Sequence, residues 1–406
     1  LSLRRQRQMC IRDSDRKMVK TFRLDICLVE EQFEMVQYVE KGRKPRWRYF
    51  PKEGHPQAVT RFDGTRITPG FLQAIAYEVY VKNVIFGLLH QWLGDMGMTV
   101  SENTLRNWLK KGRKYLDRMV VELKRIALEK DAVVNCDETW CKVRKYDRYK
   151  KCYMWVLVNK AERVVIFFYE DGSRGRDVLT NFLGDAELKA LMSDGYNAYV
   201  FIGDGLKTHR YKDTDHQVCL AHVRAKFVKA RMEGGDKRAD VFLDNINRLF
   251  RFEREYDREM ITDGERTRRR QGLPTMEAMI NLRANLLQEL KSEEEQKSCY
   301  MREALNYLHK FWNEAFTYIK DGRYPISNNL AERAVRPFTT KRKNSLHFGS
   351  DEGAEIAAVY HSIISTVKLQ GRSAWGYLGK FFTGIFNGCR DFLSLTPQNI
   401  DLAVCQ

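Results

Sequence analysis

The stretch from Asp131 to Ala230 restricts the folds open to this chain more than any other. It opens with AVVNCDETW, a short apolar run ending in acids. YMWVLVNKAERVVIFFYED follows, two β-rich runs joined by a polar turn at Asn159 to Arg163. Branched and aromatic runs broken by a short polar link predict strands and a hairpin. SRGRDVLTNFLG then carries helical spacing closed by Gly184, LKALMSDGY is a further strand ending in an acid, and HQVCLAHVRAKFVKA is a strand running into a helix. The predicted order is therefore β-β-β-α-β-β-α.

The flanks are helical. From Arg231 to about Lys320 the strand signal stops, and text such as RADVFLDNINRLFRFEREYDREM takes over, rich in i,i+3 and i,i+4 opposite charges. No heptad persists in it, so a solvated helical insertion is expected rather than a coiled coil. Beyond Tyr324, NNLAERAVRPFTTKRKN is a helix with a dense basic end, and two amphipathic helices close the chain. Upstream, Thr21 to Phe50 predicts small hairpins or an extended arm. FLQAIAYEVYVKNVIFGLLHQWLGDM and TLRNWLKKGRKYLDRMVVELKRIALEK predict helices, with Gly97 in the turn and Ser101 as an N-cap. This pair is either a helix-turn-helix presenting Arg106, Lys110 and Lys111 or a plain helical hairpin with a solvated basic face. A three-stranded meander continuing into alternating elements fits a ribonuclease-H-like mixed α/β sheet better than a doubly wound one. The expected divisions are 1–17 as a leader, 18–70 as an extended or β arm, 71–130 as the helix-turn-helix-like region, 131–230 as the first part of the core, 231–324 as the helical insertion, 325–350 as the completion of the core, and 351–406 as C-terminal helices. Residues LSLRRQRQMCIRDS lack a signal peptide's apolar core and look like translated adapter sequence, with Met18 as the start or a point inside a longer reading frame.

Seventy Lys and Arg against 53 Asp and Glu leave a net charge of +17 over 406 residues. Such a field attracts polyanions, nucleic acid first and an anionic membrane surface second. No run approaches the ~18 apolar residues of a membrane span. Nine cysteines without a C-x-x-C pair argue against a disulfide framework or a four-thiolate zinc site, and a reducing cytosol is expected.

Three acids stand out by position: Asp137 and Asp194 at the ends of the first and fourth core strands, and Glu332 near the start of the helix after the insertion. If those strands are neighbours, two carboxylates lie side by side and a helix across that edge brings the third. Converging carboxylates repel unless a cation compensates them, and hard oxygen donors select Mg²⁺ or Mn²⁺. Two such ions ~3.5–4 Å apart serve in-line phosphoryl transfer. Around Glu332 lie Asn328, Asn329, Arg333, Arg336, Lys341, Arg342 and Lys343, a set suited to phosphate contacts.

DETW at Asp137, SDGY at Ser193 to Tyr196, C-L-A-H at Cys219 to His222, and NNLAERAVRP with TTKRKN resemble, in order and spacing, the insertion sequence 66 family of bacterial DDE transposases. The resemblance runs from about Ile67 to the C-terminal helices. It implies a ribonuclease-H-like domain interrupted by a helical insertion, and catalysis by Asp137, Asp194 and Glu332 holding two metal ions. It also implies DNA partners (terminal inverted repeats and target), a homo-oligomer on DNA, small accessory proteins of the same element, and a nucleoid-associated place in the bacterial cytoplasm. Three departures accompany it. The family's cysteine-rich zinc module has no counterpart in this text, Ser345 stands where a tryptophan is common, and Cys219 with His222 is short of the four ligands of a structural zinc site, so a packing or hydrogen-bonding role is expected. The leading expectation is an enzyme that cuts and joins DNA at the ends of a mobile element. The alternatives are a catalytically impaired or domesticated DNA-binding relative and a junction nuclease.

Overall fold

The computed structural model describes residues 28–30, 35–39, 44–49, 62, 65–146, 148–204, 210–292 and 297–401. The expected leader lies outside them. Met35–Tyr38 (β1) and Arg46–Tyr49 (β2) pair antiparallel as a small two-stranded sheet. Three helices follow: α1 Pro69–Tyr80, α2 Phe86–Asp95 and α3 Glu102–Ala127. Ser101 caps α3 as expected, its Oγ accepting from the Thr104 amide at 3.2 Å.

The main sheet is built from β3 Val133–Lys145, β4 Arg148–Asn159, β5 Val164–Glu170, β6 Ala190–Ser193 and β7 Asp215–Val218, in the spatial order β5-β4-β3-β6-β7. The first three pair antiparallel, whereas β6 runs parallel to both β3 and β7. Helix α4 (Arg176–Leu183) supplies the crossover that parallel pairing needs. The predicted element order is the observed one. The polypeptide is thus a mixed α/β chain with a five-stranded mixed sheet. Asp215, in text that reads as a polar loop, instead opens β7, and its carboxylate takes the Tyr324 hydroxyl at 2.7 Å and Lys320 Nζ at 2.8 Å.

After α5 (Leu220–Met232), helices α6 Ala239–Glu259, α7 Asp263–Arg270, α8 Leu273–Lys291, α9 Cys299–Lys310 and α10 Trp312–Phe316 pack on α5 around Phe227, Phe242, Leu282 and Leu305, a core of their own. The chain then returns through α11 (Asn329–Ser345), α12 (Asp351–Leu369) and α13 (Ala374–Phe386). Strand alternation divides the sheet's apolar side chains between two layers. Cys136, Trp155, Leu157 and Ile166 face the cluster shared with α1, α3 and α13, while Cys141, Val143, Met154 and Phe167 face Val335 and Phe338 of α11. An exposed outer edge of β5 would be open to further pairing. Helix α12 covers it: Ser362 Oγ and Thr366 Oγ1, one turn apart, accept from the Phe167 and Val165 amides at 2.7 and 3.0 Å.

Candidate active site

Register brings the first two acids together. In the parallel pairing of β3 with β6, Asn135 lies opposite Met192, so two further steps along both chains set Asp137 level with Asp194. Asp194 leaves β6 in a tight turn. Its Oδ1 accepts from the Tyr196 amide at 2.9 Å, and Gly195 adopts φ +80°, where a Cβ would also meet the Tyr307 hydroxyl at 2.7 Å. Tyr307 belongs to α9, and its hydroxyl donates to the Asp194 carbonyl at 2.5 Å, so the helical insertion touches the site directly.

Glu332 arrives in the first turn of α11, and Asn328 positions that helix. An Asn at an N-cap usually turns its side chain back onto its own helix, but here the side chain makes no such bond. It reaches into β3 instead, donating to the Cys136 carbonyl at 2.8 Å and accepting from Asn135 Nδ2 at 2.9 Å, while its backbone amide donates to Cys219 Sγ at 3.1 Å. Asn328 is fully buried. The expectation that it contacts DNA is corrected: its hydrogen-bonding capacity is satisfied inside the protein, where it ties the start of α11 to the strand that carries Asp137.

Burial, and after it the neighbouring carboxylates Glu138, Asp194 and Glu332, push the Asp137 carboxyl up to about 7. Asp137 therefore lies within the fields of both Asp194 and Glu332. Glu138, next in sequence, points to the opposite face of the strand. Its buried carboxylate is held by Arg174, at 2.5 and 2.6 Å, and by the Tyr199 hydroxyl, and Arg174 in turn stacks over Tyr196 at 3.8 Å. Sequence reading missed this pair, although period-two alternation along DETW separates Glu138 from Asp137.

Cys219 takes the hydrogen-bonding part expected of it, and burial pushes its thiol up to about 11. His222 Nδ1 lies 3.7 Å from Glu332 Oε1 and has no hydrogen-bond partner among the described residues. The donor atoms of Cys219, His222 and Glu332 lie within 4.8 Å of one another, a link between the C-L-A-H motif and the third acid that spacing alone does not reveal. A second such group, Cys152, Asp171 and Asp351, already has cations in it: Lys145 reaches both acids and Lys150 pairs with Asp171.

A sequence profile described as the Transposase IS66 family matches residues 64–356, most of the chain. The chain belongs to the IS66 family of transposases. Among its relatives are three uncharacterized proteins of Sinorhizobium fredii (strain NBRC 101917 / NGR234). Protein y4jD is 26% identical over 350 residues, covering 82% of this chain and 65% of the relative; y4qI is 27% identical over 239 residues, covering 58% and 43%; y4hP is 25% identical over 252 residues, covering 57% and 44%. The chain spans less than two thirds of the length of each of these relatives.

The basic residues of this IS66 member are not equally available. On α11, Asn329, Arg333, Arg336 and Lys343 are exposed. Lys341 is not: it is buried, donates to the Val79 carbonyl at 3.2 Å and lies over the Tyr80 ring at 3.9 Å. Its expected phosphate contact is corrected, because the helical period turns this position toward α1. Arg342 stacks on Trp140 at 4.0 Å and donates to the Trp140 carbonyl at 2.5 Å. On α3, Arg106 pairs with Glu102 and lies over Phe86, Lys110 pairs with Glu352, and Lys111 is half-buried. No helix among the described residues is long and apolar enough to cross a membrane.

Proposed function

We propose that this chain is a DNA transposase that cleaves strands at the ends of a bacterial insertion sequence and joins them to target DNA, on a ribonuclease-H-like core formed by residues 131–230 and 325–350. The observation that carries this reading is the arrangement of three acids from separate elements. Asp137 is level with Asp194 in the register of β3 with β6, and Glu332 stands in the first turn of α11, the helix that Asn328 fastens to β3 next to Asp137. Carboxylate oxygen donors suit Mg²⁺ or Mn²⁺. Two such ions, when bound, would ease deprotonation of an attacking water or 3′-hydroxyl and offset charge on the leaving oxygen.

The protein's part is positional. Asp137 and Asp194 extend from strands fixed by the sheet's hydrogen bonds. Glu332 is placed by the Asn328 anchor, and the exposed Arg333, Arg336 and Lys343 along the same helix would hold the phosphate backbone beside it. Tyr307 ties the Asp194 turn to the insertion, so movement of residues 231–324 would be felt at the site. The α2–α3 pair serves end recognition as a helix-turn-helix, the protein works as a homo-oligomer with the element's accessory proteins, and it acts at the nucleoid.

Ser193 of SDGY is fully buried with its Oγ 3.0 Å from His216 Nε2, and Tyr196 carries Arg174 over its ring, so water and then the freed 3′-hydroxyl attack directly, without a covalent protein–DNA bond. Conservative Glu332→Gln should retain DNA binding and abolish both cleavage and joining in Mg²⁺. A denaturation-resistant protein–DNA adduct, or strand transfer by Glu332→Gln at the wild-type rate, would overturn the reading.

A further inference from the structure

The β3–β4 hairpin outruns the sheet that holds it. Strand β6 pairs with β3 only from Val133 to Asn135, and β5 pairs with β4 only from Tyr153 onward. The pairs from Cys141–Cys152 to Lys145–Arg148 therefore stand beyond the other strands. One face of this extension is closed by α11, against which Cys141, Val143 and Cys152 are buried. Directly opposed residues of an antiparallel ladder share a face, and the other face carries three such pairs: Trp140 with Tyr153, Lys142 with Lys151, and Arg144 with Tyr149.

Charge and exposure on that face are those of a surface awaiting an anion. Lys142, Arg144 and Lys151 are exposed, and none has an ion-pair partner among the described residues. Lys142 and Lys151 lie directly opposite one another, an arrangement that destabilises a ladder unless a counter-charge is supplied. Trp140 and Tyr149 are 38% and 55% exposed, and both rings are braced from behind. The Arg342 guanidinium lies 4.0 Å from the Trp140 ring, and His347 meets the Tyr149 ring edge-on at 4.7 Å. Rings held in this way lose little freedom when something stacks on them. Trp140 lies three residues along β3 from Asp137, roughly 10 Å at strand rise, on the opposite face of the sheet, the face that also carries Glu138.

We propose that the open hairpin face is a binding site for unpaired DNA, in which bases of a frayed strand end stack on Trp140 and Tyr149 while Lys142, Arg144 and Lys151 contact its phosphates. The site rests on the reading of the chain as a DNA-processing enzyme and adds the form of DNA that it holds. Aromatic platforms between cations suit single strands because every unpaired base offers a π-face, whereas bases inside a duplex are already stacked on one another.

The test is fluorescence anisotropy of the full chain without divalent metal, using a labelled duplex of arbitrary sequence with a short unpaired 3′ end and the same duplex with blunt ends. The wild type should bind the unpaired-end probe about tenfold more tightly, and Trp140→Ala and Tyr149→Ala should each remove about tenfold of that affinity. Both should leave the blunt probe unchanged, and Trp140→Phe and Tyr149→Phe should retain stacking. Equal affinity for the two probes, or equal losses on both, would overturn the platform and leave the DNA reading standing. A wild-type chain that binds neither probe overturns both. Tyr149→Ala, whose ring is mostly in solvent, keeps the test informative if Trp140→Ala fails to fold.

Discussion

The helical insertion and the β3–β4 hairpin are both crowded with charge, and they use it in opposite ways. In the insertion, cations are matched locally: Arg231 with Asp240, Arg248 with Glu277, Arg266 with Glu253 and Asp257, and Arg269 with Glu259 and Glu265. On the open hairpin face, Lys142, Arg144 and Lys151 project from one side of a ribbon and pair with no acid among the described residues. Of the insertion pairs, only Arg269–Glu265 is an i,i+4 pair on one helix; the others join residues of different helices that pack against one another. A strand sends alternate residues to opposite faces, so a basic ribbon backed by an apolar face collects its cations on one side. Only the second arrangement leaves charge available to a polyanion.

The comparison breaks most visibly at Arg270. Its side chain is 1% exposed and donates five hydrogen bonds: two to Glu253, at 2.8 and 2.7 Å, and three to the carbonyls of Tyr318, Asp321 and Tyr324, at 2.6, 2.7 and 3.0 Å. It thereby fastens the insertion to the segment leading into α11. Removing the guanidinium takes the donor from three carbonyls and leaves Glu253 with Arg266 alone, so Arg270→Ala should cost about 3–5 kcal/mol, read as a large fall in the unfolding midpoint. A midpoint within experimental error of wild type would mean that insertion charges are no more structural than those of the hairpin.

Equal charge removed from the two regions should have unequal consequences for DNA. Neutralising Lys142, Arg144 and Lys151 together to Gln should lower the salt slope of single-strand binding by about two units, at ~0.7 per phosphate contact, with roughly 100-fold weaker binding at moderate salt. Neutralising Arg231, Arg248 and Arg269 in the same way should leave the slope unchanged, because those cations already face carboxylates. Titrations over a range of salt concentrations check both variants, and matching slopes would erase the distinction.

The order of the strands was legible because most contain a branched or aromatic run, and Asp194 was legible because it follows its strand directly. Asp137 does not end its strand as expected, since β3 continues to Lys145 in the ribbon with β4. Other features depended on contacts that no local pattern contains. Asn328 lies in polar text that reads as surface, and only the approach of β3 and Cys219 makes it an internal anchor. The hairpin platform was recoverable in part, since KVRKYDRYKKCY alternates. What the alternation does not reveal is that α11 covers one face of the ribbon and leaves the other open.

Lys341 sharpens the comparison with the smallest expected effect. It belongs to the basic run TTKRKN, yet burial pushes its ammonium down to about 7. The groups facing it are the Val79 carbonyl and Tyr80 of α1 and His361 of α12. Burial raises the Tyr80 hydroxyl above its usual range. For His361, burial and then the Lys341 charge hold the imidazole well below its usual range, so neither changes protonation between pH 7 and 9. In that window the unfolded chain keeps the Lys341 proton, with an ordinary value near 10.5, while the folded chain loses it. Wild-type stability should therefore rise with pH relative to a Lys341→Met variant, by about 2 kcal/mol between pH 7 and 9, and below pH 7 the full cost of the buried charge is present. Denaturant unfolding of both proteins at the two pH values checks the sign. Parallel stability curves, or a Lys341→Met variant that lowers the salt slope of DNA binding, would return this lysine to the DNA surface.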